Sequence, residues 1–200
     1  MNKLITYDLV LNDELEGVST ISLVEGPAIE RNFIMMSKEE STPILLSKEK
    51  QIITTPVLIA NKPIYRRNQQ FGEHYVKFTK KTIEQVVQKY FKEGNMFSFN
   101  LEHSEETSGI FLFESYIVNR ERGINPPIEF KDIPDGSWMA SFKIENSKLW
   151  EACKAGQFRG VSVECFMTYK KDKNLGLEFS EEELDMQYFI DVYKELGKLK

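Results

Sequence analysis

The sequence predicts an α+β domain built on a mixed, largely antiparallel β-sheet with about three helices. Short β-branched and aromatic runs with period-two alternation recur along the chain. Three further segments place apolar residues at helical spacing, each behind a capping residue. The 200 residues are 41% hydrophobic, which is enough for one domain with a substantial core.

The N-terminal part begins with two predicted strands, "LITYDLVL" and "STISLVE", joined by the turn-forming "NDELEG". We expect "GPAIERNFIMM" to continue extended after Pro27, and residues 37–51 to form a surface loop around a short strand at 43–46. Pro56 and Pro63 interrupt "IITTPVLIANKPIYRR", which favours a strand near a sheet edge or at a bend.

Helical periodicity is clearest in "TKKTIEQVVQKYFKEGN", where Thr79 can cap the first turn. A shorter helix follows in "NSKLWEACKAG", with Asn146 as its cap. The third lies in "SEEELDMQYFIDVYKELGKLK", where Ser180 and Glu183 form a capping box.

The acidic character of the third helix separates it from the rest of the chain. We therefore divide the sequence into a main domain at residues 1–178 and an acidic amphipathic helix or tail at residues 179–200.

The second half also contains four predicted strands. "MFSFNLEH" and "GIFLFESYIV" flank the turn "SEETSG", and "WMASFKI" follows the irregular connection at 119–137. The last strand lies in "GQFRGVSVECFMTY", whose alternation predicts two faces. One face holds Val161, Val163, Cys165 and Met167, and the other holds Ser162 and Glu164.

The charge balance and apolar runs exclude some classes of function. The net charge of -5 provides no basic field for a phosphate backbone, so we expect no nucleic-acid partner. No apolar run approaches the ~18 residues of a membrane helix, and acidic residues stand where a signal peptide would be apolar. We therefore expect a cytosolic protein without a membrane partner, with Cys153 and Cys165 as reduced, mostly buried thiols.

The residues that could do chemistry are few. The two histidines, His74 and His103, are far apart and match no metal-ligand spacing, and no phosphate-binding glycine loop occurs. We therefore expect no metal and no cofactor. His103 ends a predicted strand, and Ser162 lies on another, so a serine nucleophile with a histidine base is compatible with the sequence.

Six blocks of the chain, taken in order, resemble one family. They are "SLVEGPAIERNFIMM", "PVLIANKPIYRR", "VKFTKKTIEQVVQKYFKEGN", "NLEHS", "FESYIV" and "GSWMASFKIENSKLWEACKAGQFRGVSVECF". Together they resemble the phage prohead (capsid maturation) serine proteases, in their XkdF-like branch. The resemblance runs from about residue 18 to residue 169.

This resemblance implies a serine endopeptidase related in fold to the herpesvirus assemblins, with a sheet or barrel core. Such enzymes act inside an assembling procapsid in the cytoplasm of the infected bacterium, on the phage scaffold protein, the major capsid protein and themselves. A homodimer is compatible with it. By the family pattern, His103 of the "NLEH" block is the general base, and Ser162 of "GVSVE" is the nucleophile.

The third member of the site stays open between two carboxylates and a dyad. Glu114 comes first, because it follows His103 by a short hairpin and could lie beside it across a strand pair. Glu164 comes second, because it shares a face with Ser162 two residues away, roughly 7 Å along the strand. His74, which we place in the loop "NQQFGEHYV", is a poor candidate for this position.

The order of the blocks leads to a permutation hypothesis. In the better-known prohead proteases, a strand resembling "STISLVEGPA" follows the serine block and carries an acid. Here that block precedes both catalytic blocks, so the chain resembles a circularly permuted relative, with Thr20 in the position of the acid. The hypothesis requires residues 18–28 to lie beside the Ser162 strand.

Two other functions compete with the protease. The first is a catalytically inactive, capsid-internal structural or scaffold-like protein with a protease fold. The second is a cysteine hydrolase using Cys165, which is disfavoured because that side chain is expected on the opposite face from Ser162.

Overall fold

Three four-stranded sheets organise the part of the chain that this computed structural model describes, namely residues 4–24, 45–47, 50–103, 105–158 and 160–171. The strands are β1 (Thr6–Val10), β2 (Gly17–Val24), β3 (Leu45–Ser47), β4 (Ile52–Leu58), β5 (Ile64–Asn68), β6 (Gly72–Phe78), β7 (Phe99–Leu101), β8 (Glu105–Glu106), β9 (Ile110–Ile117), β10 (Trp138–Ile144), β11 (Gly160–Phe166) and β12 (Thr168–Lys171). The two α-helices are α1 (Lys80–Lys92) and α2 (Ser147–Lys154).

The predicted α+β class is confirmed, but the described residues contain no closed barrel. The sheet orders are β12-β1-β6-β5, β3-β4-β10-β9 and β11-β2-β7-β8. Most neighbours are antiparallel, while β1 pairs with β6, and β2 with β7, in parallel. The third predicted helix and the "GPAIERNFIMM" segment lie outside the described residues.

Both helices begin where their capping residues predict. The Thr79 hydroxyl accepts a hydrogen bond from the Thr82 backbone N–H at 3.1 Å, and the Asn146 side chain accepts one from Leu149 at 3.1 Å. Helix α1 buries its apolar face in the main core through Ile83, Val86 and Tyr90.

The 52–78 segment differs from its sequence-based interpretation. Strand β4 lies inside its sheet, between β3 and β10. Pro56 is tolerated there because the β4–β10 register shifts beside it, with Met139 opposite Pro56 and Trp138 opposite Leu58, and such an irregularity accommodates a residue without an N–H. "NQQFGEHYV" is not a loop, since it forms the turn and second strand of the β5–β6 hairpin.

The connection at 119–137 is ordered by its own contacts. The Arg120 guanidinium donates to the carbonyls of Lys131 at 2.7 Å and Ile133 at 2.9 Å, and it pairs with Asp135. The Arg120 backbone N–H, followed by its side chain, lowers the pKa of Asp135. Phe130 is buried in a small second core, so this connection is anchored to the fold.

The expectations about the apolar face of β11 and about the two cysteines differ in outcome. Val161 and Val163 pack against the core as predicted, and Cys153 of α2 is buried. Cys165 is exposed, because the strand register shifts between Glu164 and Cys165 and the alternation ends there.

No helix within the described residues is long and apolar enough to cross a membrane.

Candidate active site

A polar surface covers the side of the β11-β2-β7 sheet that faces away from the core. In β2, Ile21 and Leu23 are fully buried in the core, so the alternation turns Thr20 and Ser22 to the other side. Strand pairing then aligns two rows across the three strands. The first row is Ser162, Ser22 and Asn100, and the second contains Glu164, Thr20 and Ser98.

His103 reaches this surface from the turn between β7 and β8. Both Glu102 and His103 have left-handed backbone conformations, with φ of 51° and 58°. Such conformations are uncommon for residues other than glycine and are found frequently at functional sites. The turn brings the His103 Nδ1 atom to 2.9 Å from Ser22 Oγ and 3.3 Å from Glu164 Oε1.

Glu164 links the imidazole of His103 to the side chain of Asn100. Its Oε1 atom accepts a hydrogen bond from Asn100 Nδ2 at 2.5 Å, and the same oxygen faces His103 Nδ1. The side chains of His103 and Glu164 are 28% and 37% exposed, so the pair remains open to solvent. Since Asn100 is buried, the carboxylate is held on its inner side by the sheet.

Ser162 lies directly opposite Ser22 in the antiparallel β11–β2 pair. Directly opposite residues of such a pair have Cβ atoms about 5 Å apart, so Ser162 lies beside the hydroxyl that touches His103. Ser162 is half-buried, whereas Ser22 is fully buried. Among the described residues, no hydrogen bond joins Ser162 to His103; such bonds are often long in a free enzyme and shorten when substrate binds.

The structure does not bring Glu114 to this surface. It lies on β9 in a different sheet, where its Oε2 atom accepts a hydrogen bond from Ser141 at 2.5 Å. The expected hairpin between the His103 and Glu114 strands does not form, because β7 pairs with β2 and β8, and β9 pairs with β10. The carboxylate beside His103 is Glu164.

His74 also lies away from the polar surface. It is fully buried on β6, and its Nδ1 atom contacts the Gly72 carbonyl oxygen at 3.0 Å. Its ring lies among those of Tyr7, Phe71 and Tyr169, at centroid distances of 5.6–5.7 Å.

The permutation hypothesis requires residues 18–28 to lie beside the Ser162 strand, and the described part of that range, residues 18–24, does so. Strand β2 lies directly beside β11, with Thr20 opposite Glu164 and Ser22 opposite Ser162. Thr20 itself contacts Ser98 through a hydroxyl pair at 3.0 Å. The acid at this point of the sheet is therefore Glu164 on β11, the strand beside Thr20, rather than a residue of β2 itself.

Sequence reasoning missed Ser22 and Asn100. Both lie inside blocks that carried the family resemblance, and both alternate with apolar residues of their strands. A hydroxyl between two core residues, and an amide between Phe99 and Leu101, were the available signals.

A comparison with protein families matches residues 49–170 to the family described as "Putative phage serine protease XkdF". The chain belongs to this family of phage serine proteases. The matched range contains His103, Ser162 and Glu164, but it begins after β2. No curated protein and no solved structure matches the chain.

Proposed function

We propose that this protein is a serine endopeptidase of a phage procapsid, which cleaves scaffold or capsid protein segments during head maturation. Ser162 is the nucleophile, His103 the general base and Glu164 the carboxylate that orients the base. The observation that carries this assignment is the contact of His103 Nδ1 with Glu164 on the sheet face that also presents Ser162. Family membership supports the reaction class.

The contacts of His103 support one direction of proton transfer. An ionised carboxylate only accepts hydrogen bonds, so the neutral imidazole carries its hydrogen on Nδ1, facing Glu164, and keeps a lone pair on Nε2. Nε2 takes the Ser162 proton while Oγ bonds to the substrate carbonyl carbon. The imidazolium then protonates the leaving amine as the C–N bond breaks, and a water molecule releases the acyl group by the same route.

The proposed substrates rest on the resemblance to the prohead proteases rather than on the geometry of the site. They are the scaffold protein, the major capsid protein and the protease itself, and the proposed place of the reaction is the inside of the procapsid. A strand edge supports the idea of an extended substrate segment, because β11 is the outer strand of its sheet in the described part of the chain.

The test compares the full chain with Ser162→Ala, each alone and with the scaffold and capsid proteins of the same phage. Cleavage is followed by mass spectrometry, and a fluorophosphonate probe reports an activated serine without knowledge of the substrate. We expect fragments and a labelled Ser162 peptide only with the unmodified protein.

Two results would contradict the proposal. Equal cleavage by both proteins would place the nucleophile elsewhere. If neither protein cleaves or reacts with the probe, while Ser162→Ala is folded and still binds scaffold, the inactive structural function is correct. The matched control is Ser141→Ala, which removes a buried hydroxyl from the neighbouring sheet and should leave labelling unchanged.

A further inference from the structure

Ser22 is a polar residue on a rigid strand, next to the proposed base. Its Oγ atom lies 2.9 Å from His103 Nδ1, closer than the Glu164 carboxylate at 3.3 Å. The residue is fully buried, and its neighbours Ile21 and Leu23 are fully buried in the core. We propose that Ser22 is a positioning residue that fixes the orientation and tautomer of His103; this inference rests on the proposed protease function.

The contact geometry assigns a second hydrogen-bond acceptor to one N–H. Glu164 faces Nδ1 as an acceptor, so Nδ1 carries the hydrogen, and the Ser22 hydroxyl oxygen must accept from it as well. Two acceptors at different positions restrict rotation of the imidazole more than one does. The remaining nitrogen, Nε2, then carries no hydrogen and is free to receive a proton.

Ser22 suits this role better than its partner does. The Glu164 side chain is held by Asn100, but it is longer and 37% exposed, so it leaves the imidazole more freedom than Ser22 does. The Ser22 hydroxyl has a single torsion and sits on a strand that is paired on both sides, with β11 and β7. It is a fixed point against which the imidazole of His103, on the turn after β7, can be held.

Burial also separates the roles of the two neighbouring serines. Ser22 and Ser162 are opposite each other, but only Ser162 is accessible enough to attack a peptide. Ser22 lies on β2, outside the matched range of residues 49–170. The positioning group therefore comes from a part of the chain that the family match does not include.

The first experiment reads the tautomer directly, by NMR of ¹⁵N-histidine in the full chain. The parent carries Ser162→Ala to prevent self-cleavage, and the sequence has only two histidines, so the spectrum is simple. We expect the His103 nitrogens of the parent to show the Nδ1–H tautomer, and Ser22→Ala to move them toward the average of the two tautomers. Ser22→Thr, which keeps the hydroxyl, should restore the parent signals.

His74 is an internal reference in the same spectra, because it lies in another sheet. Its signals should not move, and Ser141→Ala should leave both histidines unchanged. An identical His103 spectrum in the parent and in a folded Ser22→Ala variant would overturn the inference. This arm does not require activity, so it tests whether Ser22 sets the tautomer of His103 even if the protease function fails.

The second experiment uses Ser22→Ala with an intact Ser162. We expect the rate of fluorophosphonate labelling, and kcat for cleavage, to fall roughly 10- to 100-fold with little change in KM, since a misplaced base slows proton transfer without removing substrate contacts. An unchanged rate beside an altered His103 spectrum would also refute the inference.

Discussion

At the scale of single residues, the choice between two carboxylates decides how the site works. Glu164 contacts His103, whereas Glu114 contacts Ser141 in another sheet. We expect Glu164→Gln to lower kcat roughly 100- to 10,000-fold, because the amide no longer stabilises an imidazolium. The measurement is the rate of substrate cleavage or fluorophosphonate labelling by each folded variant.

The matched variant for this experiment is Glu114→Gln, which makes the same change beside Ser141. The geometry predicts a small effect for it on labelling and cleavage. If Glu114→Gln causes the large loss and Glu164→Gln does not, the sequence-based ranking of the two acids is right, and the contact seen here is incidental.

The sequence alone could predict the serine and histidine of the site, but not the residues that contact His103. The resemblance supplied His103 and Ser162, and alternation put Ser162 and Glu164 on one face. The sequence could not rank Glu164 above Glu114, because the ranking depends on which strands pair. Chain proximity favoured a hairpin, while the real neighbours of His103 are 61 and 81 positions away.

At the scale of elements, prediction worked where the determinants are local. Both caps, Thr79 and Asn146, and the strand at 138–144 follow from short-range rules. The sheet orders depend on long-range pairing, such as the parallel β2–β7 contact, which no local pattern specifies. The β5–β6 hairpin is local, but its turn "QQF" carries no Asn-Gly or Asp-Gly pair and only Gly72 follows it, so the interpretation of this segment as a loop was wrong.

Helix α1 provides a stability prediction at this scale. Thr79→Ala removes the acceptor for the Thr82 N–H and should lower the free energy of unfolding by about 1 kcal/mol. Urea unfolding followed by circular dichroism measures this change. Thr79→Ser keeps the acceptor and should be close to the wild type, and a loss in both variants would mean that the methyl group, rather than the cap, is responsible.

At the scale of the whole molecule, the site exists only when distant parts of the chain are folded together. One sheet joins β2 from the N-terminal region to β7 and β11, and the base, the acid and the positioning hydroxyl each come from a different strand or turn. Global stability therefore sets the fraction of molecules with an assembled site, and conditions that weaken a remote sheet also reduce activity.

The remote sheet contains a group that links global stability to pH. Burial, the largest cause, lowers the pKa of His74 below its ordinary value of 6.5; the bond to Gly72 opposes this, and the Arg66 charge adds to it. Its Nε2 atom is buried without a hydrogen-bond partner among the described residues. Because the unfolded state binds the proton at a higher pH, the contribution of His74 to stability is fully present above pH 6.5 and is lost as the pH falls below it.

Urea unfolding at pH 8 and at pH 5.5 should show this loss in the wild type and a smaller loss in His74→Phe, which keeps a ring among Tyr7, Phe71 and Tyr169. Tyr169→Phe perturbs the same cluster without removing the imidazole, so it should retain the wild-type loss. An equal loss in His74→Phe would assign the acid sensitivity to other groups.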